Sequence, residues 1–300
     1  MNSAITRRGW ILFASMCVIW GIPYLLIRVA VRELSPATLV LARTGIAALV
    51  LLPIAALRGE IRPLRSRWIA VLAFAAVEIA VPWVLLSSAE EHLSSSLTGL
   101  LIAAVPLVGA VVAGTTGARD RVGPVSALGL LLGLAGVATL VGSSLGAANA
   151  GALVEMAVVV VCYAVGPIIL ARFLGGLPAL GVIAVSLALS AVVYAPIAAF
   201  SFPGSVPSGR VIGSMLALAL VCTALAFLVF FALIEQIGPV RATVITYVNP
   251  AVAAVLGVAI LGEAFTGGMG VGFVLILAGS VLATRPGRAR SAVAEPSPTR

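Results

Sequence analysis

The sequence predicts an all-α membrane protein whose ten transmembrane helices form two inverted repeats of five helices. First, 62% of the 300 residues are hydrophobic and only 9% are charged, whereas a soluble domain is nearer half apolar and a quarter charged. Second, apolar stretches of about 20 residues recur along the chain. Third, the two halves match at a nearly constant offset. A membrane barrel is not predicted, because the stretches lack the alternation of apolar and polar residues.

Polar residues, prolines and glycines divide the chain into ten apolar segments, and the interval between halves gives the domains. The predicted spans are residues 10–30, 36–57, 68–89, 94–115, 123–142, 151–172, 178–200, 210–234, 239–262 and 267–284. The predicted domains are a cytoplasmic N-terminus at 1–9, repeats at 10–142 and 151–284, and a disordered cytoplasmic tail at 285–300.

The basic charge predicts the orientation of the spans. The formal net charge is +8 and every basic residue apart from His92 is an arginine. Arginines gather in alternate loops, as at residues 58–67, whereas the opposite loops hold Arg32 and Arg210 against the acids Glu33, Glu90, Glu91 and Glu263. The positive-inside rule therefore predicts a multi-pass protein of the inner (plasma) membrane with both termini in the cytoplasm. The arginines form no amphipathic stripe, so nucleic acid is not a predicted partner.

An internal repeat supports the division into five plus five helices. Matched residues lie 144 or 143 positions apart, namely Pro106 and Pro250, Glu91 and Glu235, Gly129 and Gly272, Gly136 and Gly279, and Trp20 and Tyr163. Because five is odd, the second copy enters the membrane from the opposite face. Inverted repeats of this kind are typical of secondary transporters that alternate access around a site at the midplane.

Four motifs carry a resemblance to a known family. They are IWGIPY from Ile19, LSPATLVLARTGIAALVLLP from Leu34, NPAVAAVLGVAILGE from Asn249 and GMGVGFVLILAGSVL from Gly268. In this order the chain resembles the EamA-type ten-helix exporters of the drug/metabolite transporter superfamily. The resemblance implies the fold and the export of small molecules such as amino acids, nucleosides, other metabolites or drugs. The first repeat departs from the pattern, because GARD places Asp120 where a glutamate is usual.

Aromatic and hydroxyl side chains predict a substrate chamber between the repeats. Trp20 and Tyr24 are four positions apart and would share one helix face, as would Trp83 and Ser87. Tyr163 repeats the position of Trp20, and Phe227 lies 144 positions after Trp83. Aromatic rings could stack on a flat or cationic substrate. The alternative is packing within the core or a belt at the membrane interface.

Four polar side chains inside predicted spans are the other candidates for substrate binding. Glu78 is costly in the bilayer, so it is expected to be protonated, paired with Arg43 or solvated by a cavity. Arg43 could instead bind a carboxylate. Thr246 and Asn249 share one face of the ninth helix, and Asn249 could contact substrate or serve as local glue.

The remaining candidates are structural. Prolines within spans predict kinks that act as hinges. Glu263 is included because it ends the motif that begins at Asn249. The predicted hinge and structural residues are Pro23, Pro82, Pro106, Pro167, Pro250 and Glu263. The pairs Gly129–Gly133 and Gly268–Gly272 predict close helix packing, with possible use in oligomer contacts.

Catalysis is not predicted. The chain has no phosphate-binding loop and no HExxH motif, and His92 is its only histidine. The three cysteines have no metal or disulfide spacing. We expect no metal and no cofactor, a small-molecule substrate and the lipid bilayer as partners, and a monomer or weak homodimer. The predicted function is export of small organic metabolites, with amino acids, including aromatic ones, as the first candidates. Its rivals are a drug or nucleoside/purine exporter, a channel, and a non-transporting membrane scaffold or enzyme.

Overall fold

The computed structural model describes residues 6–115, 124–142, 150–238, 242 and 244–284. Asp120 and the tail at 285–300 lie outside the described residues. Within them, ten apolar helical segments follow the predicted order, nine of them at least 18 residues long and the ninth in sequence shorter. We number them span 1 to span 10: Arg7–Ala30, Pro36–Leu57, Arg62–Ala89, Ser95–Thr115, Pro124–Gly142, Ala150–Phe173, Ala179–Ala199, Gly209–Ile237, Ile245–Leu261 and Gly267–Thr284. The membrane side that carries Arg7 is called proximal, and the other distal.

The prolines act differently in the two repeats. Span 1 is interrupted between the helices Arg7–Ile19 and Pro23–Ala30, and span 4 between Ser95–Ile102 and Val105–Thr115. Pro23 and Pro106 stand in the first turn of the second segment, where a proline needs no backbone amide. In the second repeat, Pro167 and Pro250 instead lie inside uninterrupted helices.

Two π-helical turns occupy equivalent places in the repeats. Span 3 begins with the 3₁₀ turn Arg62–Arg67, continues as the helix Trp68–Phe74, and then widens to a π-helix over Ala75–Ala80. Span 8 widens over Leu220–Leu225, which is 145 positions later. Pro82 directly follows the first π-helix. Such turns often mark functional sites because they re-aim side chains.

The packing of the spans follows the predicted repeat. Span 2 packs on span 7, span 4 on span 9, and span 5 on span 10, so equivalent spans meet their own counterparts. Two further kinds of contact come in related pairs: span 3 packs on span 6 as span 8 packs on span 1, and span 4 contacts span 6 as span 9 contacts span 1. This exchange of partners is the pattern that an approximate two-fold axis produces.

The matched glycines meet each other at this axis. A Cβ atom at Gly129 would stand 2.7 Å from the Gly279 carbonyl oxygen, and one at Gly279 would stand 2.6 Å from the Gly129 carbonyl oxygen. Gly136 and Gly272 face each other in the same way. The backbones of spans 5 and 10 therefore touch directly. The prediction that Gly129 and Gly133 serve oligomer contacts is wrong for these residues, because Gly133 also faces inward, against Leu107 of span 4.

The buried core forms one large cluster on the distal side of the membrane and two separate clusters on the proximal side. The largest cluster, the distal core, draws side chains from every span except span 7 and includes Leu39, Leu93 and Leu97. A second cluster joins mainly spans 2, 3 and 7. A third joins the proximal parts of spans 1, 8 and 9, through residues such as Met16 and Leu233. We call these the span 2–3–7 core and the span 1–8–9 core.

Candidate functional site

Arg43 is held by two spans beside the span 3 π-helix. Its side chain is buried, and its guanidinium carbon lies 3.7 Å from the centre of the Trp83 ring. Its Nε donates to the Thr223 hydroxyl at 2.9 Å. That hydroxyl in turn donates to the Leu218 carbonyl at 2.8 Å. The π-helix of span 8 therefore places Thr223 as a bridge, and sequence analysis missed this residue although it lies 145 positions after Glu78.

Glu78 faces span 6 instead of pairing with Arg43. A Cβ atom at Gly166 would overlap the Glu78 Oε2 atom, so the carboxyl group lies directly against the helix of span 6 next to Pro167. The Oε2 atom is buried and has no hydrogen-bond partner. Tyr163, on the same span, is close enough to interact electrostatically with Glu78, Arg43 and Trp83. The alternative in which Arg43 neutralises Glu78 by direct pairing is wrong.

The predicted aromatic side chains of spans 1 and 8 do come together. The centre of the Trp20 ring lies 6.0 Å from that of Phe227, nearly edge to face, and 4.7 Å from that of Phe230. Phe231 extends the group by stacking on Phe227 at 6.2 Å. Trp20 packs against the span 1–8–9 core, whereas Phe227 and Phe231 pack against the span 2–3–7 core. The aromatic group therefore lies along the boundary between the two proximal cores.

Tyr24 does not share a helix face with Trp20. Helix Arg7–Ile19 ends before Trp20 and the next helix begins at Pro23, so the spacing of four positions does not describe one helical surface. Tyr24 is buried in the distal core, with its ring beside Gly99 of span 4. The prediction that Trp20 and Tyr24 share one helix face is therefore wrong, although Tyr24 lies close enough to Arg43 and Tyr163 to interact with them electrostatically.

Asn249 of span 9 donates a hydrogen bond to a carbonyl oxygen that the interruption of span 1 leaves without a helical partner. With its amide nitrogen facing two carbonyl oxygens, it donates to Ile245 at 3.0 Å and to Cys17 at 3.1 Å. The Gly21 amide donates to Val18 rather than to Cys17, so the break leaves the Cys17 carbonyl without its usual helical partner. Asn249 supplies that partner from span 9. Its contacts are those of the local glue that sequence analysis left as one of two alternatives.

The other predicted polar residues take different positions. The Ser87 hydroxyl is buried and donates to the Trp83 carbonyl at 2.7 Å. Thr246 is half-buried on span 9. Tyr163 is half-buried and packs against both the distal core and the span 2–3–7 core. Of these three, Tyr163 is the one beside Arg43 and Glu78.

Glu263 fixes the start of span 4. Its carboxylate accepts hydrogen bonds from the backbone amides of Ser95 and Ser96, both at 2.8 Å, and from their hydroxyls at 3.1 and 2.6 Å. An acid at a helix N-terminus satisfies amides that have no partner within the helix and interacts favourably with the helix dipole. The motif at the end of span 9 thus ties spans 4 and 9 together on the distal side.

Glu90 is a buried acid that the sequence places in a solvated loop. It follows span 3 directly, is 0% exposed, and neither carboxyl oxygen has a hydrogen-bond partner. The Arg28 Nη1 atom donates to the Glu90 carbonyl oxygen. Arg28 therefore holds the distal end of span 3 instead of extending to the lipid headgroups. Neighbouring Glu91 is exposed, and sequence alone offers no signal that separates the two acids.

Two apolar cavities lie elsewhere. One of about 460 Å³ lies between spans 4, 5 and 6, and one of about 400 Å³ lies between spans 2 and 8 and the loop before span 8. Neither is lined by any of the ten predicted substrate-binding residues. Among the described residues, no group of three His, Cys, Asp or Glu side chains is placed to hold a metal ion.

Comparison with known proteins agrees with this architecture. A search of curated proteins found no match. A solved structure, described only as the crystal structure of a protein, is 21% identical with a TM-score of 0.65, covering 92% of this chain and 96% of that one. At this identity the likeness concerns the fold alone. The model of the EamA-like transporter family matches twice, over residues 7–142 and 151–285. The chain is therefore a multi-pass membrane protein that belongs to the EamA-like transporter family.

Proposed function

We propose that this transporter exports small organic metabolites, and amino acids with aromatic side chains first among them, by alternating access. The observation that carries the proposal is the boundary between the two proximal cores. Trp20 and Phe227 lie along it; at its distal end, Glu78 is part of the span 3 π-helix and Arg43 lies beside it. A substrate that enters between the cores from the proximal side would meet aromatic rings first and charged groups next.

The charged groups suit the two ends of an amino acid. Arg43 is fixed by Thr223 and Trp83, and a positioned guanidinium is a good receptor for a carboxylate. Glu78 is the acid on the other side, with a buried oxygen that lacks a partner. An unpaired intramembrane carboxyl group is a candidate to hold a proton or a substrate ammonium group. The rings of Trp20 and Phe227 would pack on an aromatic substrate side chain.

Export also requires the proximal side to be cytoplasmic. The proximal loop and turn between spans 2 and 3 carry four arginines, namely Arg58, Arg62, Arg65 and Arg67. The distal side carries the exposed arginines Arg32 and Arg210 together with the exposed acids Glu33 and Glu91. This asymmetry favours an inner-membrane protein whose proximal side faces the cytoplasm. The same fold would serve a drug or nucleoside exporter, and competition by cationic dyes or nucleosides distinguishes these rivals.

Transport in proteoliposomes tests the proposal. Efflux of radiolabelled phenylalanine and tyrosine is expected to saturate, and Trp20→Leu is expected to raise the KM about two- to tenfold, because an aromatic contact contributes about 0.5–1.5 kcal/mol. Trp10→Leu on the same span is the matched control, since Trp10 is 56% exposed. Absence of flux for every amino acid tested would overturn the substrate class, and non-saturating conductance would favour a channel.

A further inference from the structure

On the distal side, where the core is continuous, a hydrogen bond between Arg28 and the Glu90 carbonyl joins two groups of spans. In the opposite conformational state, each span would take the arrangement of its counterpart in the other repeat, so that span 1 exchanges with span 6, span 2 with span 7, span 3 with span 8 and span 4 with span 9. The proximal division into spans 2–3–7 and spans 1–8–9 would then become a distal division into spans 2–7–8 and spans 3–4–6. The distal part of span 1 packs more extensively on span 8 than on span 4, so we place it with the first group. Arg28 of span 1 donates to the Glu90 carbonyl of span 3. This bond therefore joins the two groups that would have to separate.

This contact places an arginine at the C-terminal end of a helix, beside a buried acid. Arg28 places a positive charge on the C-terminal end of a helix, where the dipole favours it. The Glu90 carboxyl group lies close enough to interact electrostatically with Arg28 and is buried without a hydrogen-bond partner. Arginine suits this position because it stays charged and presents several N–H donors to the carbonyl oxygen at the helix end.

The second repeat carries an equivalent arginine and a nearby acid, shifted by one residue, on the proximal side. Residues 23–28 read PYLLIR and residues 167–172 read PIILAR, so Arg172 lies 144 positions after Arg28. Glu235 lies 144 positions after Glu91, at the proximal end of span 8. Arg172 and Glu235 are both exposed. The Arg172 guanidinium lies 5.8 Å from the ring of its neighbour Phe173, and no hydrogen bond joins the pair within the described part of the chain.

The pair also lies on opposite sides of the proximal boundary. Span 6 packs its proximal end, including Leu170 and Leu174, against the span 2–3–7 core. Span 8 contributes Leu233 and Ile237 to the span 1–8–9 core. Arg172 and Glu235 extend from these two groups, as Arg28 and Glu90 do on the distal side.

We propose that Arg172 and Glu235 form a cytoplasmic gate that closes when the Arg28–Glu90 contact opens. The inference rests on the alternating access of the proposed function. In the outward-facing state, Arg172 binds the C-terminal end of span 8 through Glu235 and the Ile234 carbonyl, the position equivalent to Glu90. Loss of the Arg28–Glu90 contact therefore shifts the population toward the outward-facing state, and loss of the Arg172–Glu235 contact shifts it toward the state that is open on the proximal side.

Labelling of a single cysteine tests this gate without any substrate. In a chain with Cys17, Cys162 and Cys222 changed to Ala, Leu93→Cys places a thiol in the distal core, where Leu93 is 2% exposed. A membrane-impermeant maleimide added to intact cells labels it when the distal side opens. Arg28→Gln is expected to raise the labelling rate several-fold, whereas Arg172→Gln and Glu235→Gln are expected to lower it several-fold.

The control and the rescue separate a gate from a general defect. Arg65→Gln removes another exposed proximal arginine and is expected to leave labelling unchanged. The double variant Arg172→Glu/Glu235→Arg is expected to recover labelling that either reversal alone loses. Labelling in Arg172→Gln equal to that in Arg65→Gln would overturn the gate. Labelling that no variant changes, Arg28→Gln included, would count against alternating access itself.

Discussion

The two repeats are tied to each other at equivalent loops on the two sides of the membrane, but the chemistry of the ties differs. On the distal side, the loop after span 1 reaches the start of span 8, where Glu33 accepts from the Ser208 amide at 2.6 Å and hydroxyl at 2.7 Å. On the proximal side, the loop after span 6 reaches the start of span 3, where Arg67 donates to the Phe173 carbonyl at 2.8 Å. The position of the contact is repeated, and the residue type is not.

A second pair of loops shows the same difference. On the proximal side, the Gly181 amide of span 7 donates to the Glu60 carboxylate at 3.1 Å. On the distal side, the equivalent contact joins the hydroxyls of Ser35 and Ser201 at 2.8 Å. The backbone geometry of the inverted repeat fixes which segments meet. Side-chain chemistry at those places is then free to differ, so one repeat is a guide to where the other makes contacts and a poor guide to how.

The seam between spans 5 and 10 is the place where the repeats remain most alike, and breaking it should have the largest effect. Gly136→Ala adds a methyl group 2.7 Å from the Gly272 carbonyl oxygen and 2.8 Å from the Ile276 amide. Both neighbours are backbone atoms, so the helices have to separate, at a cost of about 1–3 kcal/mol or more. We expect loss of monodisperse protein or a lower melting temperature in detergent.

Gly142→Ala is the matched control on the same span. No atom lies within 4 Å of a Cβ at Gly142, and alanine favours a helix over glycine by up to about 1 kcal/mol. The control should therefore be neutral or slightly stabilising. Equal destabilisation by the two substitutions would contradict the close approach of the helices.

Glu263 of the second repeat binds the start of span 4, and the described residues show no equivalent acid in the first repeat. Loss of this contact should have the next largest effect. Glu263→Gln keeps the size of the side chain but removes the charge and one of two acceptor oxygens, so four donors on Ser95 and Ser96 compete for a single acceptor. A charge-assisted hydrogen bond contributes about 1.5–3 kcal/mol, and we expect a loss of about this size in thermal unfolding. Glu91→Gln, at an exposed acid, should have little effect.

Much of this architecture could be predicted from the sequence, because it follows from periodicity. The span order and the repeat come from the length of apolar segments and from matched residues such as Gly129 and Gly272. Segment ends were less predictable, since span 3 begins at Arg62 rather than at residue 68. A 3₁₀ turn of arginines is not apolar, so hydropathy could not include it.

The site was predictable in composition but not in geometry. Trp20 and Phe227 do meet, yet Tyr24 stays apart from their rings, because the helix breaks between Trp20 and Pro23. The π-helices turn Glu78 toward span 6 and Thr223 toward Arg43. A face assigned at 100° per residue assumes a regular helix, and functional membrane helices often depart from one. The substrate-binding role of these residues stays a prediction.

The distal tie at Glu33 should have the smallest effect, and it is the one that depends on pH. The Ser208 amide and then its hydroxyl hold the pKa of the Glu33 carboxyl below its usual value. A lowered folded-state pKa means that the contact stabilises fully above the unfolded value of about 4.3 and loses its effect as the pH falls through the folded value. Glu33→Gln should therefore lower the melting temperature slightly at about pH 7 and leave no difference from wild type in more acidic buffer. Glu91→Gln, which removes another exposed acid, controls for the change in net charge. A Glu33→Gln difference that persists unchanged at low pH would mean that the ionised carboxylate is not what joins the two repeats here.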